Sequence, residues 1–244
     1  MVFEYITRAW EAYKKNTMSF ILAQLIVLII SGICLFISLG IIASIGVSTL
    51  RELSSNLVAY RMVSFFPAFA SILISLIFFI LAGLSIVYLN AGIYGMAFET
   101  TRGKTIVKTM FKVAMKKGIT GIIAAILIGI IFFIITTFLS IGYGLGLPLL
   151  EIATGSVLLI LIMIFFSLAF PAIVADNLGA FEAVEKSVNV VKKNYFDTFI
   201  LLLTYAIIFI LLTFFIPIIG ILICYFVLIP MLYISLILFY KRKK

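Results

Sequence analysis

The stretch FFSLAFPAIVADNLGAFEAVEKSVNVVKKNYFDTFILL, Phe165 to Leu202, decides the fold of this chain. It leaves one uncharged apolar run, crosses a short polar segment and enters another apolar run. Between residues 178 and 191, apolar side chains recur every three or four positions, which predicts an amphipathic helix. Its apolar face consists of Leu178, Phe181, Val184, Val188 and Val191.

The segment 176–194 is therefore interpreted as a helix between two membrane spans. Asp176 or Asn177 is expected to cap its first turn, since short polar side chains accept hydrogen bonds from free backbone amides. We expect this helix to lie in the headgroup plane with its apolar face towards the lipid. The alternative is an ordinary helix packed on the ends of other helices.

Composition places the whole chain in the membrane. Of its 244 residues, 65% are hydrophobic and 11% charged, which excludes a soluble domain. A spanning helix needs about 20 apolar residues, and the last uncharged stretch is long enough for two. The stretches without Asp, Glu, Lys or Arg are 16–50, 62–98, 118–150, 152–175 and 198–240.

The sequence predicts an all-α fold, a single integral membrane domain over residues 1–244 with six transmembrane helices. Pro171 and Pro230 are expected to kink the fourth and sixth, and 217–220 is expected to form a tight turn. Residues 40–64 are interpreted as a loop with a short surface helix, with a re-entrant segment as the alternative. The predicted spans are Met18–Leu39, Phe65–Ala91, Ile119–Leu139, Thr154–Ala175, Tyr195–Ile216 and Ile221–Tyr240.

A similar pattern occurs three times. Amphipathic segments end at Lys14-Lys15-Asn16, Lys116-Lys117-Gly118 and Lys192-Lys193-Asn194, and each precedes an apolar hairpin. The prediction is therefore three hairpins, each preceded by an interfacial helix, in repeat-like units of about 1–98, 99–175 and 176–244.

The candidate binding residues are lysines of the polar connections. Four recur every fourth residue and form a basic ridge: Lys104, Lys108, Lys112 and Lys116. Like charges at this spacing weaken an isolated helix, whereas an anionic headgroup layer would stabilise it by about 1 kcal/mol per lysine. With Lys192 and Lys193 they form a hypothetical lipid-headgroup site; the alternative is that they only enforce topology.

The positive charge is distributed unevenly along the chain. Sixteen of the eighteen Lys and Arg residues lie in the N-terminal segment, 99–117, 176–194 and the C-terminal tail, leaving Arg51 and Arg61 for the other side. The positive-inside rule then places both termini in the cytoplasm of a cell-membrane protein. This explains the net charge of +9 without nucleic acid.

The residue content does not favour an enzyme. The chain has no His, and no acid cluster resembles a metal site. We expect no catalytic, cofactor or metal residues. The favoured function is binding or organising anionic lipid, or a protein partner, at the cytoplasmic leaflet; homo-oligomerisation is open. The alternative is a permease for a small or amphiphilic solute, with Gln24 and Asn90 on its path, although helix packing explains them as well.

The third unit also carries a pattern of short motifs. They are Pro171-Ala172-Ile173-Val174, then Asp176 and Gly179, then Ala183 with Lys186-Ser187, then Lys192-Lys193-Asn194, and finally Pro230 with Leu232-Tyr233 before a basic tail. Over about 165–244 this resembles the membrane domain of some glycerophosphodiester phosphodiesterases and its stand-alone, uncharacterised prokaryotic relatives. Those relatives often have Arg and Trp where Lys186 and Val188 stand. The resemblance implies a six-helix membrane protein and does not extend to phosphodiesterase activity.

Overall fold

The computed structural model describes the backbone of residues 2–54, 60–143 and 148–244, and their side chains outside 45–68 and 138–154. Within these ranges the chain is helical with short connections, and none of these residues lies in a strand. The helices are α1 (Val2–Ser54), α2 (Tyr60–Thr100), α3 (Val107–Tyr143), α4 (Pro148–Phe166), α5 (Ala169–Ala175), α6 (Ala180–Lys193), α7 (Tyr195–Phe215), α8 (Pro217–Ile223), a π-helix (Cys224–Leu228) and α9 (Ile229–Lys243).

Six segments of the described chain are long and apolar enough to cross a bilayer. This confirms the predicted class, an all-α protein with six candidate spans. The segments are Val2–Ser44, Phe69–Thr100, Val107–Thr137, Gly155–Ala175, Tyr195–Phe215 and Pro217–Lys243.

Several helices are longer than the sequence predicts. α1 continues to Ser54 and α2 begins at Tyr60, so most of the expected 40–64 loop is helical; residues 55–59 lie outside the described chain. α3 joins the amphipathic part of 99–117 to the third span without a break. Gly118, at that junction, is buried where a Cβ atom would overlap the ring of Tyr88. The glycine thus allows close packing and does not end a helix.

Pro171 breaks the fourth span as predicted. α4 ends at Phe166 and α5 begins at Ala169, close to the carbonyl of Ser167 with which the proline ring would clash in a continuous helix. The break is bridged from α6: the hydroxyl of Ser187 donates to the Phe165 carbonyl at 2.7 Å and accepts from the Leu168 amide at 3.1 Å.

Pro230 distorts the last span as predicted, by a π-helix that ends two residues before it. Proline has no N–H, so the carbonyl four residues earlier, that of Phe226, loses its usual helical donor. The hydroxyl of Tyr13 in α1 donates to this carbonyl at 2.9 Å. A side chain from another helix thus satisfies the backbone carbonyl that this proline has freed.

The turn between the last two spans is tighter than predicted. Ile216 alone separates α7 from α8, and Pro217 already lies in the first turn of α8, where its missing N–H has little effect. Gly220 is buried against the backbone of Leu212, where any Cβ atom would overlap the carbonyl.

The chain divides into two compact units, Met1–Gln24 with Tyr88–Lys244, and Leu25–Val87. In the second unit, Ser38 of α1 and Ser75 of α2 are both buried, with their hydroxyls 2.8 Å apart. Each hydroxyl also lies within hydrogen-bond distance of the other residue's carbonyl, at 3.0 and 3.1 Å, so its single proton goes either to that carbonyl or to the other hydroxyl. These bonds join the two helices within this unit.

In the first unit, α6 contacts α3, α4 and α5. Its buried face shares only Val191 with the apolar face that is predicted to meet lipid: Phe181 of that face is 71% exposed, while mostly small residues turn inwards. The buried residues are Ala180, Ala183, Ser187, Val190 and Val191. Hydrophobicity alone favours the large side chains, whereas close helix contact requires small ones.

The cap of α6 also differs from the prediction. The cap residue is Gly179, not Asp176 or Asn177, and the carboxylate of Glu182 accepts the Gly179 amide at 3.1 Å. Asp176 instead binds groups from the C-terminal end of the chain, so its side chain is not available to the helix.

Candidate functional site

The basic ridge lies at the start of α3. Lys108, Lys112 and Lys116 occupy successive turns and are exposed, and Lys104 is exposed in the connection before the helix. The opposite face is buried through Met110, Ala114 and Gly118. The helix therefore packs on the protein with its small and apolar side and presents the lysines outwards.

Hydrogen bonds from α1 fix the backbone on both sides of Lys104. The Asn16 side chain accepts from the Thr105 amide at 2.7 Å and donates to the Gly103 carbonyl at 3.4 Å, and the Ser19 hydroxyl donates to the Thr105 carbonyl at 3.0 Å. Asn16 is 5% exposed. The connection that carries Lys104 is thus fixed on both sides by α1.

Lys192 and Lys193 are exposed at the end of α6, directly before Asn194. The backbone angles of Asn194 (φ −131°, ψ 35°) are close to those of Asn16 (φ −130°, ψ 15°). Each asparagine side chain also donates at 3.0 Å to the carbonyl four residues earlier. Two of the three proposed repeats thus share a kink, whereas Gly118 stays inside α3; the repeat itself remains a prediction.

Three of the four C-terminal cations differ from the candidate lysines because they form ion pairs. Arg242 binds Glu4 at 2.8 Å, Lys243 binds Asp197 at 2.9 Å, and Lys244 binds Asp176. In the part of the chain that the structure describes, none of the six candidate lysines forms an ion pair. The three paired tail cations therefore link the C-terminus to other segments, while the candidate lysines have no acidic partner among the described residues.

Asp176 is the most enclosed acid of this tail network. Its carboxylate accepts the Tyr240 hydroxyl at 2.8 Å as well as the Lys244 ammonium group. Burial raises the pKa of Asp176, but the hydrogen bonds from Lys244 and Tyr240 outweigh it and hold the pKa below its ordinary value. In the sequence, nothing signals this role beyond an acid between two apolar runs.

The same contacts gather distant parts of the chain at one end of the first unit. Glu4 and Arg242 bring together the N-terminal and C-terminal segments. The tail also reaches the connection before α3, where Lys241 donates to the Thr101 hydroxyl at 3.2 Å. The candidate lysines lie in or next to the segments that the tail contacts: Lys104 follows Thr101, and Lys192 and Lys193 precede Asp197.

The two amides expected from the sequence have different surroundings. Asn90 accepts the Tyr233 hydroxyl at 3.2 Å, next to Tyr94, whose ring lies 4.2 Å from that of Tyr233. Gln24 is 2% exposed, and its amide nitrogen has no partner among the described residues. Asn90 thus serves helix packing.

Two large clefts open on the first unit. One, of about 570 Å³, lies between α4, α7 and the last span; the other, of about 510 Å³, lies between α3, α4 and α5. Aliphatic and aromatic side chains form almost all of both linings. Neither cleft offers a polar path for a hydrophilic solute.

The fold and its charged end define a class, a multi-pass membrane protein with exposed lysines on its connections. The chain matches no protein-family model, no curated protein and no solved structure. The phosphodiesterase-domain resemblance therefore remains a prediction.

Proposed function

We propose that this protein binds anionic phospholipid headgroups and organises lipid at the cytoplasmic leaflet of the cell membrane. The site consists of Lys104, Lys108, Lys112 and Lys116 on one side and Lys192 and Lys193 on the other. The supporting observation is that these lysines are exposed without an ionic partner in the described chain, although three of the four tail cations are paired.

Exposed apolar side chains beside the lysines support a headgroup environment. Phe111 and Met115 are 41% and 69% exposed between the ridge lysines. In α1, Trp10 is exposed with the Lys14 ammonium group 5.4 Å from its ring centre. Aromatic and basic side chains together are typical of the membrane–water boundary. In this proposal the N-terminal part of α1, the start of α3, and α6 lie at that boundary.

The orientation follows from charge. Because cations are enriched on cytoplasmic connections, we place both termini, the ridge and Lys192-Lys193 in the cytoplasm. Anionic lipids of that leaflet attract basic segments by about 1 kcal/mol per Lys or Arg. Four ridge lysines together would thus retain anionic lipid against dilution in detergent.

The test uses the purified full-length chain in neutral detergent. In one variant the four ridge lysines are changed to glutamine; in a matched variant they are changed to arginine, which keeps the charge. We expect the glutamine variant to lose most of the anionic phospholipid that co-purifies with the wild type, and the arginine variant to keep it. Equal anionic lipid in all three proteins would overturn the proposal.

A further inference from the structure

The apolar cleft of about 570 Å³ is lined by residues of three of the segments that are long and apolar enough to cross a bilayer. Its lining includes Met163 of α4, Phe199, Leu203, Ala206 and Phe209 of α7, and Leu232 of α9. Its volume lies within the range of about 300–1,000 Å³ typical of small-molecule sites.

A hydrogen bond from Tyr205, which lines the cleft, lies behind the apolar surface. Tyr205 is 3% exposed, and its hydroxyl lies 2.7 Å from that of Ser235. This hydrogen bond joins α7 to α9 and satisfies the polar atoms that would otherwise face the cleft. What remains open is an apolar surface without free donors or acceptors, which suits a hydrocarbon chain.

The length of the cleft matches one leaflet. The lining residues of α7 run from Phe199 to Phe209, which at 1.5 Å per residue is about 15 Å along the helix axis. The hydrocarbon core of a bilayer is about 30 Å thick, so one leaflet contributes about 15 Å. A single acyl chain entering from the headgroup level would fill the cleft over this depth.

The α7 end of the cleft follows the candidate lysines in the chain. The ring of Tyr195 lies 6.3 Å from that of Phe199, which lines the cleft, and 6.0 Å from that of Phe165. Lys192 and Lys193 directly precede this aromatic cluster and are exposed. The nearby acid, Asp197, is already paired with Lys243. The charge left at this end of the cleft is therefore positive.

We infer that this cleft is a binding site for one phospholipid with an anionic headgroup. Its acyl chain lies between α4, α7 and α9, and Lys192 and Lys193 bind its phosphate group. The inference deepens the proposed function, on which its headgroup half rests. The inference adds one defined lipid-binding position to the general attraction of anionic lipids by the ridge lysines.

The acyl-chain half is tested by filling the cleft. The variants Ala206→Trp and Leu203→Trp place a large ring where the chain would lie, and both positions are exposed, so the fold is not overpacked. Ile207→Trp is the control, an exposed position of the same helix outside the lining. Palmitoyl-oleoyl phosphatidylglycerol and phosphatidylcholine, each added to delipidated protein, are counted by native mass spectrometry.

We expect the wild type and the control to retain one phosphatidylglycerol under conditions that remove other lipids. Each cleft variant should bind it about tenfold more weakly, which corresponds to about 1.4 kcal/mol. A folded cleft variant that retains this lipid like the wild type, or a control that loses it equally, would overturn the inference.

The headgroup half is tested by changing Lys192 and Lys193 together to glutamine. This variant should lose the preference for phosphatidylglycerol over phosphatidylcholine; an unchanged preference would contradict the inference. The ridge variant of four glutamines should keep the single bound lipid while losing the rest. Failure of the proposed function, seen in the ridge variant, is therefore distinguishable from failure of the cleft site.

Discussion

At the residue scale, single hydroxyl groups compensate for interrupted helices. Ser187 is fully buried and serves two backbone groups at the break between α4 and α5. Because Ser187 is buried in the protein, its hydroxyl replaces the water that an exposed helix break would use as a partner.

We therefore expect Ser187→Ala to lower the free energy of unfolding by about 1–3 kcal/mol, since it leaves the Leu168 amide and the Phe165 carbonyl without this partner. Thr204→Ala is the matched control, because that hydroxyl bonds within its own helix, to the Ile200 carbonyl. Its effect should stay within about 0.5 kcal/mol. Denaturant unfolding in micelles measures both, and equal stability of the two variants would contradict this role.

Sequence reasoning reached Ser187 only as part of the Lys186-Ser187 motif. Its partners lie 19 and 22 residues earlier, and no helical periodicity links positions so far apart. The exposed lysines were easier to predict, because a repeat of four residues specifies one helix face whatever the rest of the chain does.

At the element scale, the last span depends on a partner from the first helix. Pro230 frees the Phe226 carbonyl, and Tyr13 donates to it. The sequence predicted the kink, since proline acts locally. It did not predict Tyr13, because the bond joins residues 213 positions apart.

A double-mutant cycle separates the two effects. Tyr13→Phe should lower the free energy of unfolding by about 1 kcal/mol in the wild type. In a Pro230→Ala background the new backbone N–H offers the Phe226 carbonyl another donor, so the same change should have a smaller effect. The two substitutions should be coupled by about 0.5 kcal/mol or more in thermal or denaturant unfolding; strictly additive effects would show that the tyrosine does not compensate for the proline.

At the scale of the whole molecule, the C-terminal tail joins separate segments of the first unit. Its ion pairs reach Glu4, Asp176 and Asp197, which lie in three different parts of the sequence. Composition predicted the six spans, because apolar length depends on local residues alone. Composition did not predict these pairs, since Glu4 and Arg242 are 238 residues apart.

The tail network makes stability dependent on pH. The folded-state pKa of Asp176 is below its ordinary value, so its stabilising contribution is complete above the unfolded-state pKa and is lost as the pH falls through the folded-state pKa. As the pH falls below about 4, the ordinary pKa of an Asp side chain, the unfolding midpoint of the wild type should fall more steeply than that of Asp176→Asn. Glu185→Gln, at an exposed position, is the control and should keep the wild-type slope. Parallel curves for the wild type and Asp176→Asn would contradict the assignment.

The serine pair of the second unit has a consequence for alignment. Two helices that contact each other only through aliphatic side chains have little preference for one axial position over another. Ser38 and Ser75 create such a preference, because moving one helix by a turn along the other would leave both hydroxyls without hydrogen-bond partners in an apolar environment. A pair of small polar side chains thereby sets the axial position of two helices whose remaining described surface is mostly apolar.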